Sequence, residues 1–276
     1  MSEKIINKKF FSKIVIYIIL ILLGILIFMP FLWMVSSSLK ASQDVFVFPM
    51  KWIPEKFEWK NYHEIWTKIP LVLFFKNSFK LAITITLLQV LTSSFAAYAF
   101  AKMEFKGRNF LFLSYVATIA VPWQVYMIPQ FILIRKLNLT DTHIGLILMQ
   151  AFTAFGVFLM RQSYLSIPNE LSEAARIDGL NEYGIYARII LPLSKPVIAT
   201  LVIFSFVNVW NDYMIYINST ELKTIQLGLR MFISQYSADY NLIMASALVP
   251  IVPVGILFLA MQRFFIEGIA TSGLKG

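Results

Sequence analysis

Two sets of residues in this chain have the types and spacing to do chemistry. The first is charged and lies in 161–195, with Arg161, Arg176, Arg188 and Lys195 set against Glu170, Glu173, Asp178 and Glu182. It can form ion pairs and dock a charged protein surface. The second set is neutral: Trp123, Gln124, Gln130, Gln150, Asn208, Trp210 and Asn211, all within long apolar stretches. Amides bond hydroxyl groups and indoles stack on the apolar faces of sugars, so this set suits a neutral polyhydroxy solute. The same side chains also serve simply to hold membrane helices together, and that reading stays open for each of them. Several chemistries are excluded. There is no cysteine, hence no disulfide, thiolate nucleophile or cysteine-held metal. The two histidines, His63 and His143, are too few for a histidine-built metal site. No G-x-x-x-x-G-K-[ST] run is present, so this chain has no P-loop for ATP.

The elements that must carry these residues are set by where charge is missing. Only 14% of the 276 residues are charged and 58% are hydrophobic. A soluble domain carries about 25% charge, so the chain reads as a polytopic membrane protein and not as a disordered or ordinary soluble one. Uncharged runs cover 14–39, 81–101, 109–134, 144–160, 196–211 and 240–262. The fifth is extended back to about residue 190, with Lys195 reaching for the interface. A crossing helix needs roughly 20 apolar residues, and backbone groups in lipid must bond within their own segment. The expected fold is therefore all-α, with six transmembrane helices behind a short N-terminal segment, 1–13, and one membrane domain over 14–276. The first run is too long for a signal-peptide core and reads as a retained helix. Pro122 and Pro129 are expected to kink or break the third span.

These runs hold no Asp, Glu, Lys, Arg or His. That disfavours an intramembrane enzyme needing an acid or base, and a secondary transporter with a carboxylate for its coupling ion. A sodium site made of carbonyls and hydroxyls is still compatible with them. The net charge of +9 is read as lysine and arginine at span ends and not as a nucleic-acid surface. The bias of basic residues is weakly in favour of an N-terminus inside.

The segment 161–195 is too polar to cross. Pro168 and Glu170 suit the start of a short helix over 169–178, and Gly179 suits a left-handed stop. Leu171, Ala174, Ala175 and Asp178 share one face, which is small enough for close docking. Asn181 and Glu182 start a second helix to about residue 190, and Pro192 and Pro196 turn the chain into the fifth span. The product is a helix-turn-helix element; read from these residues alone, a docking surface and a merely solvated loop are equally open.

Glu173-Ala174-Ala175, then Gly179, then Ile189-x-Leu191-Pro192, matches all seven specified positions of E-A-A-x3-G-x9-I-x-L-P. That motif is the signature of permease subunits of binding-protein-dependent ABC importers, and the chain resembles the carbohydrate-uptake branch of that family. Asn77-Ser78-Phe79, Ala97-Tyr98-Ala99-Phe100-Ala101 with Phe105-Lys106-Gly107-Arg108, and Trp210-Asn211-Asp212-Tyr213 resemble further elements of the branch. The tail Gly273-Leu274-Lys275-Gly276 resembles the ending of its smaller, maltose-type permeases. One departure is Gln226, where the branch commonly has proline.

The resemblance implies a non-catalytic permease subunit with 161–195 as a cytoplasmic coupling loop. Glu173 would be the charged anchor on an ATPase subunit, with Ala174 and Ala175 permitting close approach. Gly179 would supply the turn beside Asp178, and Ile189, Leu191 and Pro192 would tie the second helix to the membrane. The implied partners are a second, homologous permease subunit, two cytosolic ATPase subunits, an extracytoplasmic solute-binding protein, membrane lipid and a mono- or oligosaccharide, with no nucleic acid. No cofactor is expected on this chain; ATP and magnesium would sit on the ATPase. Both termini would be cytoplasmic, in a bacterial or archaeal cytoplasmic membrane. Glycerol 3-phosphate or a polyol is the alternative solute, and a stand-alone secondary transporter the alternative class.

Overall fold

The structure, a computed structural model, describes residues 2–212, 217–235 and 239–273, with side chains described over 12–212, 217–233, 235 and 239–264. Tyr213, residues 236–238 and the tail after Gly273 lie outside the described residues. In chain order the helices are α1 (Ser2–Ser38), α2 (Lys60–Lys68), α3 (Leu71–Lys102), α4 (Arg108–Ala117), α5 (Trp123–Lys136), α6 (His143–Gln150) and α7 (Ala154–Ser166). They continue with α8 (Asn169–Ile177), α9 (Glu182–Ile185), α10 (Leu191–Leu193), α11 (Lys195–Asn211), α12 (Ile225–Gln235), α13 (Tyr240–Leu248) and α14 (Ile251–Gly273). Among the described residues there is no strand.

Among the described residues, three helices can cross a membrane by length and composition: Ser12–Ser38, Leu71–Lys102 and Tyr240–Phe264. Three further apolar pairs are bent: α4 with α5 by 103°, α6 with α7 by 41°, and Glu182–Leu193 with α11 by 79°. The breaks have local causes. Pro122 is extended (φ −60°, ψ 140°) just before α5, and a proline cannot donate to the helical ladder. Thr153 is extended and caps α7 by accepting from the Gly156 amide. Ser194 leaves helical geometry ahead of Pro196, while its hydroxyl donates to the Ile190 carbonyl at 2.8 Å. The 144–160 run thus contains a bend that no proline announces. The helix that holds the 81–101 run begins at Leu71.

The chain forms two compact units, Met1–Leu71 with Leu229–Ile251, and Val72–Gly228 with Val252–Gly276. In the first, α13 packs on α1 and α2. A polar seam closes it: Asn61 donates to the Ser38 and Lys40 carbonyls at 2.9 Å each, and Asn241 donates to Asn61 at 3.0 Å. The last carbonyls of α1 have no intrahelical partner, and Asn61 supplies one. Most of the apolar surface of α1 between Ile14 and Leu32 is uncovered, which in water would be unstable and in lipid is matched.

The second unit is built around α3. Ala97, Tyr98, Ala101, Met160, Tyr164, Ala175, Ile185, Tyr186 and Ile190 bury one another in a continuous cluster. Gly156 lies so close to α3 that a Cβ there would meet Ser93 Oγ at 2.4 Å. In the loop before α6, Asp141 accepts from the backbone amides of Asn218 and Ser219 at 2.9 and 3.0 Å and from the Ser219 hydroxyl. The Ser219 hydroxyl and amide hold the Asp141 carboxyl below its usual value.

Candidate functional site

The charged site is the α8–α9 turn. Pro168 is extended and lies just outside α8 as its N-cap. Gly179 takes φ +86°, a conformation that costs glycine nothing and a Cβ-bearing residue about 1 kcal/mol or more. The stop is closed by the Gly179 amide to the Arg176 carbonyl at 3.0 Å and the Leu180 amide to the Ala175 carbonyl at 2.9 Å. Asn181 then caps α9 through its bond from the Gly184 amide at 2.9 Å. Beyond α9 the helix widens into one π-helical stretch, Tyr186–Ile190, ahead of Pro192, which has no N–H for the preceding turn.

The face expected to dock as a whole is divided. Ala175 and Ser172 are buried against the chain's own core, while Leu171, Glu173, Ala174, Ile177 and Asp178 are exposed. The residue spacing is helical, but α8 lies on α3 and α7, and this uses up one side of it. Ile189 and Leu191 pack on the core cluster, and Pro192 is exposed.

The loop is held by contacts that sequence reading did not single out. Tyr98 of α3 donates to Glu182 Oε2 at 2.6 Å, and Arg176 of α8 pairs with Glu182 Oε1 at 2.9 Å. Lys102 donates to the Ile167 carbonyl and to Asn169 at 2.6 and 2.8 Å. Deeper in, Ser94 bonds the hydroxyls of Tyr164 and Tyr186 at 2.6 and 2.7 Å. A cleft of about 620 Å³ opens beside α8, with Glu173, Arg176, Lys102 and Arg108 on its wall.

The neutral set is not brought together as a whole. Trp123, Gln130, Gln150 and Asn208 line one cavity of about 580 Å³, together with Gln89, Tyr115, Tyr126 and Asp212. Trp123 Nε1 donates to Gln130 Oε1 at 3.3 Å. Gln124 is exposed and lies off this cavity. Trp210 is buried, where it stacks on Phe206 and meets Phe75 and Phe79 edge-on. Asn211 is exposed and accepts from Gln226 at 3.2 Å. Asp212 was missed because a reading by charge-free runs ends one residue before it.

Residues 89–270 match the family model described as binding-protein-dependent transport system inner membrane component. The chain belongs to that family. The match takes in both the α8–α9 turn and the cavity. Family relatives agree along nearly the whole chain. It is 36% identical to the arabinooligosaccharides transport system permease protein of Halalkalibacterium halodurans, over 90% of this chain and 91% of that protein. It is 35% identical to the sn-glycerol-3-phosphate transport system permease protein of Yersinia pestis bv. Antiqua, over 92% of this chain and 95% of that one. In fold it is similar to a chain of a bacterial ABC transporter involved in the import of the acidic polysaccharide alginate. The TM-score is 0.81 at 23% identity, covering 91% of this chain and 95% of that one.

Proposed function

We propose that this family member is a carbohydrate permease, one half of a heterodimeric pathway in the cytoplasmic membrane. In this reading each bent pair is one span, which gives six with the three straight helices, within a single membrane domain over 14–276. The α8–α9 turn faces the cytoplasm as the coupling loop. Glu173 and Ala174 dock an ATPase subunit, and Ala175, Gly179, Ile189 and Leu191 hold the loop in shape. The chain itself catalyses nothing: ATP and magnesium belong to two partner ATPase subunits, and a solute-binding protein delivers the sugar from outside. Closure of the ATPase pair then draws the two coupling loops together and turns the pathway outward.

The observation that carries this reading is the build of α8. The whole E-A-A motif lies on one short helix, with the second alanine anchored in the core and Glu173 left on the outer surface. A loop that was only solvated would need neither the buried alanine nor the left-handed glycine stop. The test is Glu173→Lys in the complete importer. Uptake is expected to stop while membrane insertion and permease pairing continue and ATPase co-purification weakens; normal uptake refutes the docking role. The arabinooligosaccharide relative supports an oligosaccharide as solute. The sn-glycerol-3-phosphate relative, at nearly the same identity, supports a polyol phosphate as the second reading. Binding of a sugar panel and of sn-glycerol 3-phosphate by the solute-binding protein decides between them.

A further inference from the structure

The cavity that collects Trp123, Gln130, Gln150 and Asn208 has one charged residue among its described lining residues, and that residue is an acid, Asp212. Asp212 follows the last residue of α11 and has already left helical geometry (φ −72°, ψ 131°). A helix C-terminus carries the negative end of the peptide dipole, so a carboxylate there is placed against the local field. The helix dipole therefore does not favour the charge. Its position is nevertheless held: Gln150 Nε2 donates to Asp212 Oδ2 at 2.8 Å. Gln150 is itself held through its backbone carbonyl, which accepts from Gln89 Nε2 at 2.7 Å. Amides from α3 and α6 thus fix an acid on a wall whose other described residues are amides, hydroxyls, aromatic rings and aliphatic side chains.

We propose that Asp212 is a charge filter on the solute pathway. The cavity admits uncharged saccharides and holds off anionic ones, whether sugar phosphates, sulfonates or uronates. This rests on the reading that the cavity carries solute, and it deepens that reading by naming the solute's charge class. A fixed carboxylate about 5 Å from a visiting group separates a monocation from a monoanion by about tenfold in local concentration even at a water-like dielectric. No lysine, arginine or histidine lies among the described lining residues.

The absence of cysteine from the chain makes the filter measurable. In the assembled importer, Asn208→Cys places one thiol on the cavity wall. It is reacted with neutral, cationic and anionic methanethiosulfonates, and the cysteine-free permease supplies the background. The neutral reagent is expected to label. The cationic-to-anionic rate ratio, corrected for the same reagents on a free thiol, is expected near tenfold and should fall towards one with Asp212→Asn. The proposal is overturned by a ratio near one with Asp212 present, by a ratio that Asp212→Asn leaves unchanged, or by no reaction with the neutral reagent. If that pair does not assemble, Thr118→Cys with Asp212→Ser asks the same question at another lining position. A solute-binding protein that takes no sugar would defeat the carbohydrate reading without altering the labelling ratio, so the two failures are distinguishable.

Discussion

Glu182 receives a hydrogen bond from the buried Tyr98 hydroxyl on one oxygen and an ion pair from Arg176 on the other. It thereby joins α3, α8 and α9 at one point. Both Glu182 and Arg176 are more than a third exposed, so the ion pair by itself contributes little, about 0.2–1 kcal/mol. The Tyr98 bond is the stronger tie, because losing it leaves a buried hydroxyl without that acceptor. Tyr98→Phe and Glu182→Ala are each expected to loosen the α8–α9 loop by about 1 kcal/mol. Together they should cost less than the sum of the two, since the Tyr98–Glu182 bond can be lost only once. The readout is the ATPase rate of the reconstituted importer with and without its binding protein: stimulation falls in each variant while basal hydrolysis persists. Full additivity of the two changes would show that Tyr98 and Glu182 act separately. The acid in the sequence motif, Glu173, and the acid that ties the loop down, Glu182, are thus different residues with different work.

At the scale of elements, close approach is set by Gly156 at the start of α7. A Cβ there meets Ser93 Oγ at 2.4 Å and Thr153 Cγ2 at 2.7 Å. Gly156→Ala is expected to destabilise the permease by about 1–3 kcal/mol, the cost of overpacking, and Ser93→Gly should recover part of it. Thermal unfolding of the purified complex measures both, and an unaffected Gly156→Ala would show that α7 can retreat from α3 at no cost. The sequence made some of these elements plain and hid others. The left-handed stop at Gly179, the cap at Asn181 and the break at Pro122 are readable because glycine, asparagine and proline act through local backbone chemistry. The bend at 151–153 also has a local cause, the Thr153 cap of α7, but a threonine inside an uncharged run does not announce a break as proline or glycine does. The early start of α3 was hidden by Lys76 and Lys80, which end an uncharged run. Yet Leu71, Phe74, Ser78, Leu81 and Ile85 are among its buried residues, and their spacing is helical. The candidate site divided in the same way. Spacing put Trp123, Gln130, Gln150 and Asn208 in apolar stretches, but only packing shows that they share a cavity while Trp210 enters an aromatic cluster.

For the whole molecule the decisive quantity is parity. Three bent pairs stand between the three straight apolar helices, and each either crosses or turns back. The 103° bend between α4 and α5 is the most severe, so it is where a re-entrant loop would most readily arise. If all three pairs cross, residues 104 and 183 lie on the cytoplasmic side and residues 55 and 221 lie outside. If the α4–α5 pair turned back, 104 and 55 would be unaffected, but 183 and 221 would exchange sides and the coupling loop would face away from any ATPase. Charge counting alone distinguishes these weakly, because the lysine-rich stretch 40–80 offsets the basic N-terminus. Single cysteines at Glu55, Glu104, Tyr183 and Glu221 separate them, since the parent chain has no cysteine to react. With a membrane-impermeant maleimide on intact spheroplasts, Glu55→Cys and Glu221→Cys are expected to label at once. Glu104→Cys and Tyr183→Cys should label only after permeabilisation. Labelling of Tyr183→Cys from outside, with Glu221→Cys protected, would make one bent pair re-entrant and remove the physical basis for coupling through Glu173.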